Sequence, residues 1–187
     1  GTLNATTITF GVEIVFNSAV TKNITVSFDP YNANKFVLVI VDGSDSNIGK
    51  AIIGTISGAS ISFGALYNFS AGATGYVFGG FVPNTENKIA CIYSDSTNSS
   101  FGTVVVGTIS GTSISFGSEY VVYSNYHYFN LDFDTALGSA GKFVAICGLA
   151  TSSRGQAMLG QVASATAVSN MSSTDFIGLS TAVYADA

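Results

Sequence analysis

The chain has 187 residues, enough for one domain or two small ones, and is 47% hydrophobic but only 9% charged, where an ordinary soluble domain carries roughly 25% charged residues. Its net charge of −5 leaves six scattered cations, Lys22, Lys35, Lys50, Lys88, Lys142 and Arg154, so no basic stripe can neutralise phosphates and no nucleic-acid partner is expected. The mean hydropathy of +0.45 suits a membrane protein, but the longest aliphatic run, Phe36–Val41 (FVLVIV), falls far short of the ~20 residues of a spanning helix, so no membrane insertion is expected.

Strong helix formers are scarce, while Val, Ile, Thr, Phe and Tyr are plentiful, which predicts strands. The first four fall at 7–16, 23–29, 35–42 and 49–56, each bounded by Gly, Asn, Asp, Ser or Pro. Asp29–Asn34 and Asp42–Asn47 read as turns between them. The third strand is apolar at consecutive positions and does not alternate, as expected of a strand packed on both faces.

Gly54–Gly64 (GTISGASISFG) returns almost unchanged as Gly107–Gly117 (GTISGTSISFG). From Gly54 to Gly107, and from Gly107 to Gly160, the step is 53 residues. The Phe-Gly pairs at Phe10, Phe63 and Phe116 keep the same step, as do Lys35 and Lys88, whereas Lys142 comes one place late. A longer loop at Asp134–Gly141 and a shorter one at Ala150–Ser153 account for that slip and its recovery. Units at 1–56, 57–109 and 110–162 follow, then a degenerate repeat start and a trailing segment at 163–187. The near-identical stretches read as joints, with the last strand of one unit, a Ser-Gly turn and the first strand of the next.

Four meandering strands repeated at this spacing are the signature of a β-propeller blade, so the expected fold is all-β, a propeller-like array of four-stranded antiparallel blades with three repeats. Closed propellers have four to eight blades. Either the chain is part of a longer protein, or blades of other subunits complete the ring, or the repeats stack as an open fibre. The chain starts at Gly1 without a signal-peptide pattern, as expected of a processed product or a fragment.

The repeats carry a resemblance. Gly54–Gly64, Gly107–Gly117, Asn34–Asp42, Asn87–Asp95 and Gly102–Val106 resemble repeats in predicted structural proteins of marine tailed phages. Asn170–Tyr184 (NMSSTDFIGLSTAVY) resembles the segment that follows the array in that family. The resemblance implies a virion component, such as a fibre, spike or decoration protein, located on a virion or an extracellular surface. The third repeat departs from it, with Leu149 where Asp42 and Asp95 stand in the other copies.

The chemistry-bearing residues point mostly to structure. Asp42–Gly49 and Asp95–Gly102 loosely resemble the Asp-box hairpin of sialidase-like propellers, without its Trp, and are expected to be turns. Asp42, Asp45 and Asn47 lack EF-hand spacing and are expected to bond their own backbone; no metal or cofactor is expected. Asp132 and Asp134 share a strand face but read as strand-end residues, not a glycosidase pair. His127 is the only histidine and no nucleophile motif surrounds it, so no enzyme is expected. Tyr120, Tyr123, Tyr126, His127 and Tyr128 form the candidate glycan-binding cluster, with strand packing as the competing role. Cys91 and Cys147 sit in apolar strands and are expected to be buried thiols, not a bridge. Glycosylation sequons stand at Asn4, Asn23, Asn68, Asn98 and Asn170.

The functional expectation is a structural and interaction protein, with a homo-oligomer or other virion or filament subunits as partners and a surface glycan as a further contact. The alternatives are a carbohydrate-binding propeller module, as a lectin or a glycosidase, and a subunit of a microbial surface filament.

Overall fold

The computed structural model describes residues 10–123, 126–136, 141–149, 155–164 and 167–175. Among them every strand pairing is antiparallel, and the one helical element is a 3-10 turn at Ser96–Asn98. The first strands are β1 (Thr21–Phe28), β2 (Lys35–Asp42), β3 (Ile48–Ser57), β4 (Ser60–Phe63) and the long β5 (Tyr67–Phe81). Then come β6 (Lys88–Asp95), β7 (Phe101–Ser110), β8 (Ser113–Phe116) and β9 (Tyr120–Tyr123). The last four are β10 (Tyr126–Phe133), β11 (Lys142–Leu149), β12 (Gly155–Ser164) and β13 (Ala167–Asp175).

They build three consecutive meanders. In the first, β1, β2 and β3 pair in order, and β4 and the start of β5 share the far edge of β3. In the second, the end of β5 pairs with β6, β6 with β7, and β8 and β9 share the far edge of β7. The third runs β10, β11, β12, β13. β5 therefore belongs to two meanders: Ala51 faces Tyr67 near one end, and Phe81 faces Ile89 at the other. No closed ring or barrel forms among the described residues.

The repeat is visible as repeated backbone geometry. Asp29, Val82 and Asp134 each donate an N–H, at 2.9 Å, to the carbonyl of the lysine opening the next strand, Lys35, Lys88 and Lys142. The residue before that lysine is left-handed in all three copies: Asn34 (φ 64°), Asn87 (φ 59°) and Gly141 (φ 69°). Asparagine tolerates this conformation and glycine adopts it freely, so one turn accepts either residue. The first strand of each meander carries a register shift near its start, at Lys22/Thr25, Gly75/Phe78 and Tyr126/Tyr128. Phe36 opposes Gly54, Ile89 opposes Gly107 and Phe143 opposes Gly160, so the third copy regains register after its longer loop.

The meanders stack face to face. Val37, Val39 and Ile53 of the first meet Phe81, Ile89, Cys91 and Tyr93 of the second in one core. Ala90, Ile92, Val104 and Val106, on the other face of the second, meet Leu131, Phe143, Ala145 and Met158 of the third. A smaller core on the outer face of the first meander gathers Phe36, Leu38, Ile40 and Ile52 with Phe16 and Phe63. Burial on both faces explains why the middles of β2 and β6 are apolar at consecutive positions and not alternating. Cys91 and Cys147 form no disulfide and are buried in different cores.

Two strand expectations change. The described part of the expected strand at 7–16 is not a strand, and Phe10 and Val12 are largely exposed there. A strand needs a partner edge, and 10–16 has none among the described residues. The strand after the Ser-Gly turn does not leave for the next unit at once. Ser57 and Ser60 pair across a two-residue turn, with Gly58 at φ 59°, and β4 folds back on β3; Gly111, at φ 62°, repeats this in β7 and β8.

A Cβ added at Gly54 would run into the Phe36 ring across the ladder, whereas one at Gly58 would meet open space. Gly54→Ala is expected to destabilise the chain by about 1–3 kcal/mol through overpacking, and Phe36→Leu in the same chain should recover part of that loss. Urea denaturation reads both; equal stability of Gly54→Ala and the parent would refute this account of the repeated glycine.

Candidate functional site

The acidic residues of the turns spend their chemistry locally. Asp29 accepts N–H donors from Tyr31 (2.9 Å) and Asn32 (3.1 Å), takes a further bond from the Asn32 amide, and lies 3.8 Å from the Lys35 ammonium. Asp42 accepts the Ser44 hydroxyl (2.6 Å), the Ser44 N–H (3.1 Å) and Lys50 Nζ (3.0 Å). These bonds, the Ser44 hydroxyl first, hold its carboxyl at about 2 against an ordinary 3.8. Asp95 accepts Thr97 N–H and the Thr97 hydroxyl, capping the 3-10 turn. The Asp-box-like segments therefore act as turns.

The Asp42, Asp45 and Asn47 cluster is already served by lysines. Lys50 Nζ stands 3.0 Å from Asp42 and 2.6 Å from Asp45, and Lys22 Nζ donates to Asn47 Oδ1 at 2.9 Å. The bond to Asp45 contributes most to raising the Lys50 pKa. An ammonium sits where a metal ion would have to compete for the same oxygens, and no metal-holding cluster of His, Cys, Asp or Glu occurs among the described residues.

Buried polar groups in the cores are likewise committed. The Tyr93 hydroxyl donates to Glu119 (2.7 Å), and burial pushes its pKa well above the usual phenol range. Burial raises the Cys91 thiol too, which keeps it protonated and unsuited to nucleophilic attack. Lys88 donates to the Thr108 hydroxyl (2.5 Å), and burial lowers its pKa.

A cleft lies where the first strands of the three meanders approach one another. Ser27, Gly80 and Asp132 hold the same register in β1, β5 and β10, opposite Val37, Ala90 and Val144. Gly80 has no room for a Cβ because Ser27 packs against it, and the Ser27 hydroxyl accepts the Phe81 N–H at 3.2 Å. The cleft encloses about 280 Å³, with Phe28, Pro30, Pro83 and Phe133 as apolar walls and Asp132 and Thr135 as polar ones. A second hollow of about 430 Å³ also borders Asp132, together with Asn130, Val144 and Ile146. The Asp132 carboxylate is exposed and accepts the neighbouring Phe133 N–H; Asp134 turns back to accept the Ala136 N–H. The two carboxylates thus serve separate local turns, and Asp132 alone of the two lines the cleft.

The tyrosine cluster is divided between two meanders. Tyr120 and Tyr123 pair with Val104 and Gly102 of β7. Tyr126 and Tyr128 pair with Leu149 and Gly148 of β11, and His127 falls in the register shift between them. Tyr120 packs on the core between the second and third meanders, as the packing role requires. The side chains of Tyr123, Tyr126, His127 and Tyr128 lie outside the described residues. Of the sequons, Asn23 is exposed in the β1 irregularity with φ 46°, Asn68 is exposed on β5, and Asn98 is half-buried in the 3-10 turn. Asn170 stands on β13, and Asn4 lies outside the described residues.

Sequence reasoning missed the cleft because its walls come from three segments some fifty residues apart. The available signal was the Gly79–Gly80 pair inside a strand, which marks a close backbone approach. Comparison with known proteins finds no match: no family model, no curated protein sequence and no solved structure is significantly similar to this chain.

The Asp42 carboxyl stabilises the fold above its ordinary pKa of 3.8, and that contribution is lost as pH falls toward about 2. With solvent screening it is worth on the order of 1 kcal/mol. Asp42→Asn should lower stability at pH 6 and flatten the acid limb between pH 4 and 2 in thermal melts. An unchanged acid limb would refute the assignment.

Proposed function

We propose that the chain is a structural and interaction module, a propeller-like array of three blades within a phage virion appendage or a similar extracellular assembly. The reading makes it a scaffold for rigid display and subunit contacts, with no catalytic role. The observation that carries it is the commitment of the polar chemistry: the turn acids and buried polar groups described above bond turns, caps and ladder neighbours, while the apolar residues join successive meanders into stacked cores. The resemblance of the 53-residue repeat to phage structural proteins supplies the setting.

Packing between successive meanders supports the stacked-blade arrangement. At the first strands Thr25 donates to the Gly79 carbonyl (3.5 Å) and Ser27 meets Gly80, while Phe81 of the same strand enters the shared core. Phe69, Tyr93 and Phe116 fill that core as well, with the Tyr93 and Phe116 ring centroids 5.1 Å and 5.9 Å from Phe69.

A second reading, a carbohydrate-binding module, rests on the cleft at Asp132, where the Phe28 and Phe133 rings and one carboxylate offer stacking and hydrogen bonding to a sugar.

Immunogold electron microscopy of phage particles with antibody against this chain is the direct test. Label on a tail, fibre or capsid surface is the expected result; purified particles without label would overturn the virion assignment. Glycan-array binding that disappears in Asp132→Ala would favour the second reading, and an empty array would exclude it.

A further inference from the structure

Residues 10–16 sit against the first meander as residues 63–69 sit against the second. The Phe16 and Phe63 rings lie 5.7 Å apart, and at the next step of the repeat the Phe69 and Phe116 rings lie 5.9 Å apart. A Cβ at Gly11 would press on the Ala59 carbonyl oxygen at 2.9 Å, and one at Gly64 on the Thr112 carbonyl oxygen at 3.0 Å. Both glycines therefore pack against the turn of the hairpin that follows, Ser57–Ser60 for Gly11 and Ser110–Ser113 for Gly64. Phe16 helps cover the outer face of the first meander, as Phe69 helps fill the core between the first two.

The two segments differ on their other edge. Tyr67 and Asn68 pair with Ala51 and Lys50 of β3, and Phe63 pairs with Gly54. The Gly64 N–H donates to the Ile53 carbonyl at 2.9 Å, as the Gly117 N–H does to Val106 at 3.0 Å. The matching residues Ile14, Val15, Phe10 and Gly11 have no strand to pair with among the described residues. Phe10 is 89% exposed, whereas Phe63 is half-buried against Phe36. The sequence keeps the pattern: Gly1, Thr2, Ile8, Phe10 and Gly11 repeat Gly54, Thr55, Ile61, Phe63 and Gly64 at the same 53-residue step.

We infer that residues 10–16 are a docking strand, whose free edge takes the third strand of one further unit of this repeat, joined ahead through Gly1. The occupant follows from the internal copies. Tyr67 and Asn68 lie on Ala51 and Lys50 of β3, and Tyr120 and Val121 lie on Val104 and Thr103 of β7, one step on. In both copies the edge is taken by the third strand of the unit just before it. A second copy of the chain offers no such edge among the described residues. β4 and β5 fill that of β3, β8 and β9 that of β7, and β13 that of β12. The contact is main-chain pairing, in which an open edge presents unpaired N–H and C=O groups to an added strand. The outer core of the first meander then becomes an internal junction, with Phe16 and Phe63 already standing where Phe69 and Phe116 stand one unit later. The inference lengthens the scaffold array and does not depend on the virion assignment.

The test joins a copy of residues 19–53 ahead of Gly1 in the full chain, so that Ile53 precedes Gly1 as it precedes Gly54. Hydrogen exchange, read by mass spectrometry, follows a peptide covering residues 10–16. The expected result is exchange slowed at least about tenfold relative to the parent chain. The same graft without its Ile53 slips the register by one residue and should leave exchange as in the parent. A second graft, residues 72–106, places Val106 before Gly1 and supplies the same edge from a different sequence, so misfolding of the first graft does not decide the outcome. Exchange that neither graft slows would overturn the inference, as would equal slowing by the slipped graft. Slow exchange in the parent that is lost on dilution would overturn it too, by assigning the edge to a second copy. None of these readouts involves a phage particle, so this test and the immunogold test fail separately.

Discussion

All eight residues of β6 are buried, including Lys88 and Asp95, because one face packs on the first meander and the other on the third. That two-sided burial governs the molecule. It demands apolar residues at consecutive positions, which raises the hydropathy without any long helix. It forces the polar residues out to turns and strand ends, where Asp29, Asp42, Asp95 and Asp134 bond nearby donors. It also makes spacing between sheets a matter of single methyl groups, since Ser27 already fills the space a Cβ would take at Gly80.

The same constraint explains which parts of the fold were legible. The second strand of each meander could be read closely: Lys35–Asp42 matches the expected 35–42, because a left-handed Asn fixes its start and a turn-forming Asp its end. The period was legible for the same reason, and the slip at Lys142 was correctly paired with its recovery, since Phe143 opposes Gly160 as Phe36 opposes Gly54. Partnership was harder to read. Phe10–Phe16 has the pattern of a strand but no partner edge among the described residues, and β4 folds back on β3 although the repeat suggested departure. Periodicity tells which face a residue takes and not which neighbour will supply the hydrogen bonds.

The candidate site was less legible than the fold. Turn roles for the acids followed from residue type and local spacing, and their hydrogen bonds bear that out. The occupation of the Asp42–Asp45 pair by Lys50 did not, because it depends on a hairpin bringing position 50 back over position 42. The cleft beside Asp132 needs three first strands side by side, a relation that exists only after the meanders stack.

β5 adds a consequence for cooperativity. One unbroken strand supplies the last ladder of the first meander and the first ladder of the second, so neither can melt without fraying the other. The same division of labour recurs 53 residues on: β9 lies on the edge of β7 as the start of β5 lies on β3, and β10 opens the third meander as the end of β5 opens the second. Each meander thus closes on the stretch of chain that leads into the next, so loss of one ladder is felt in its neighbour.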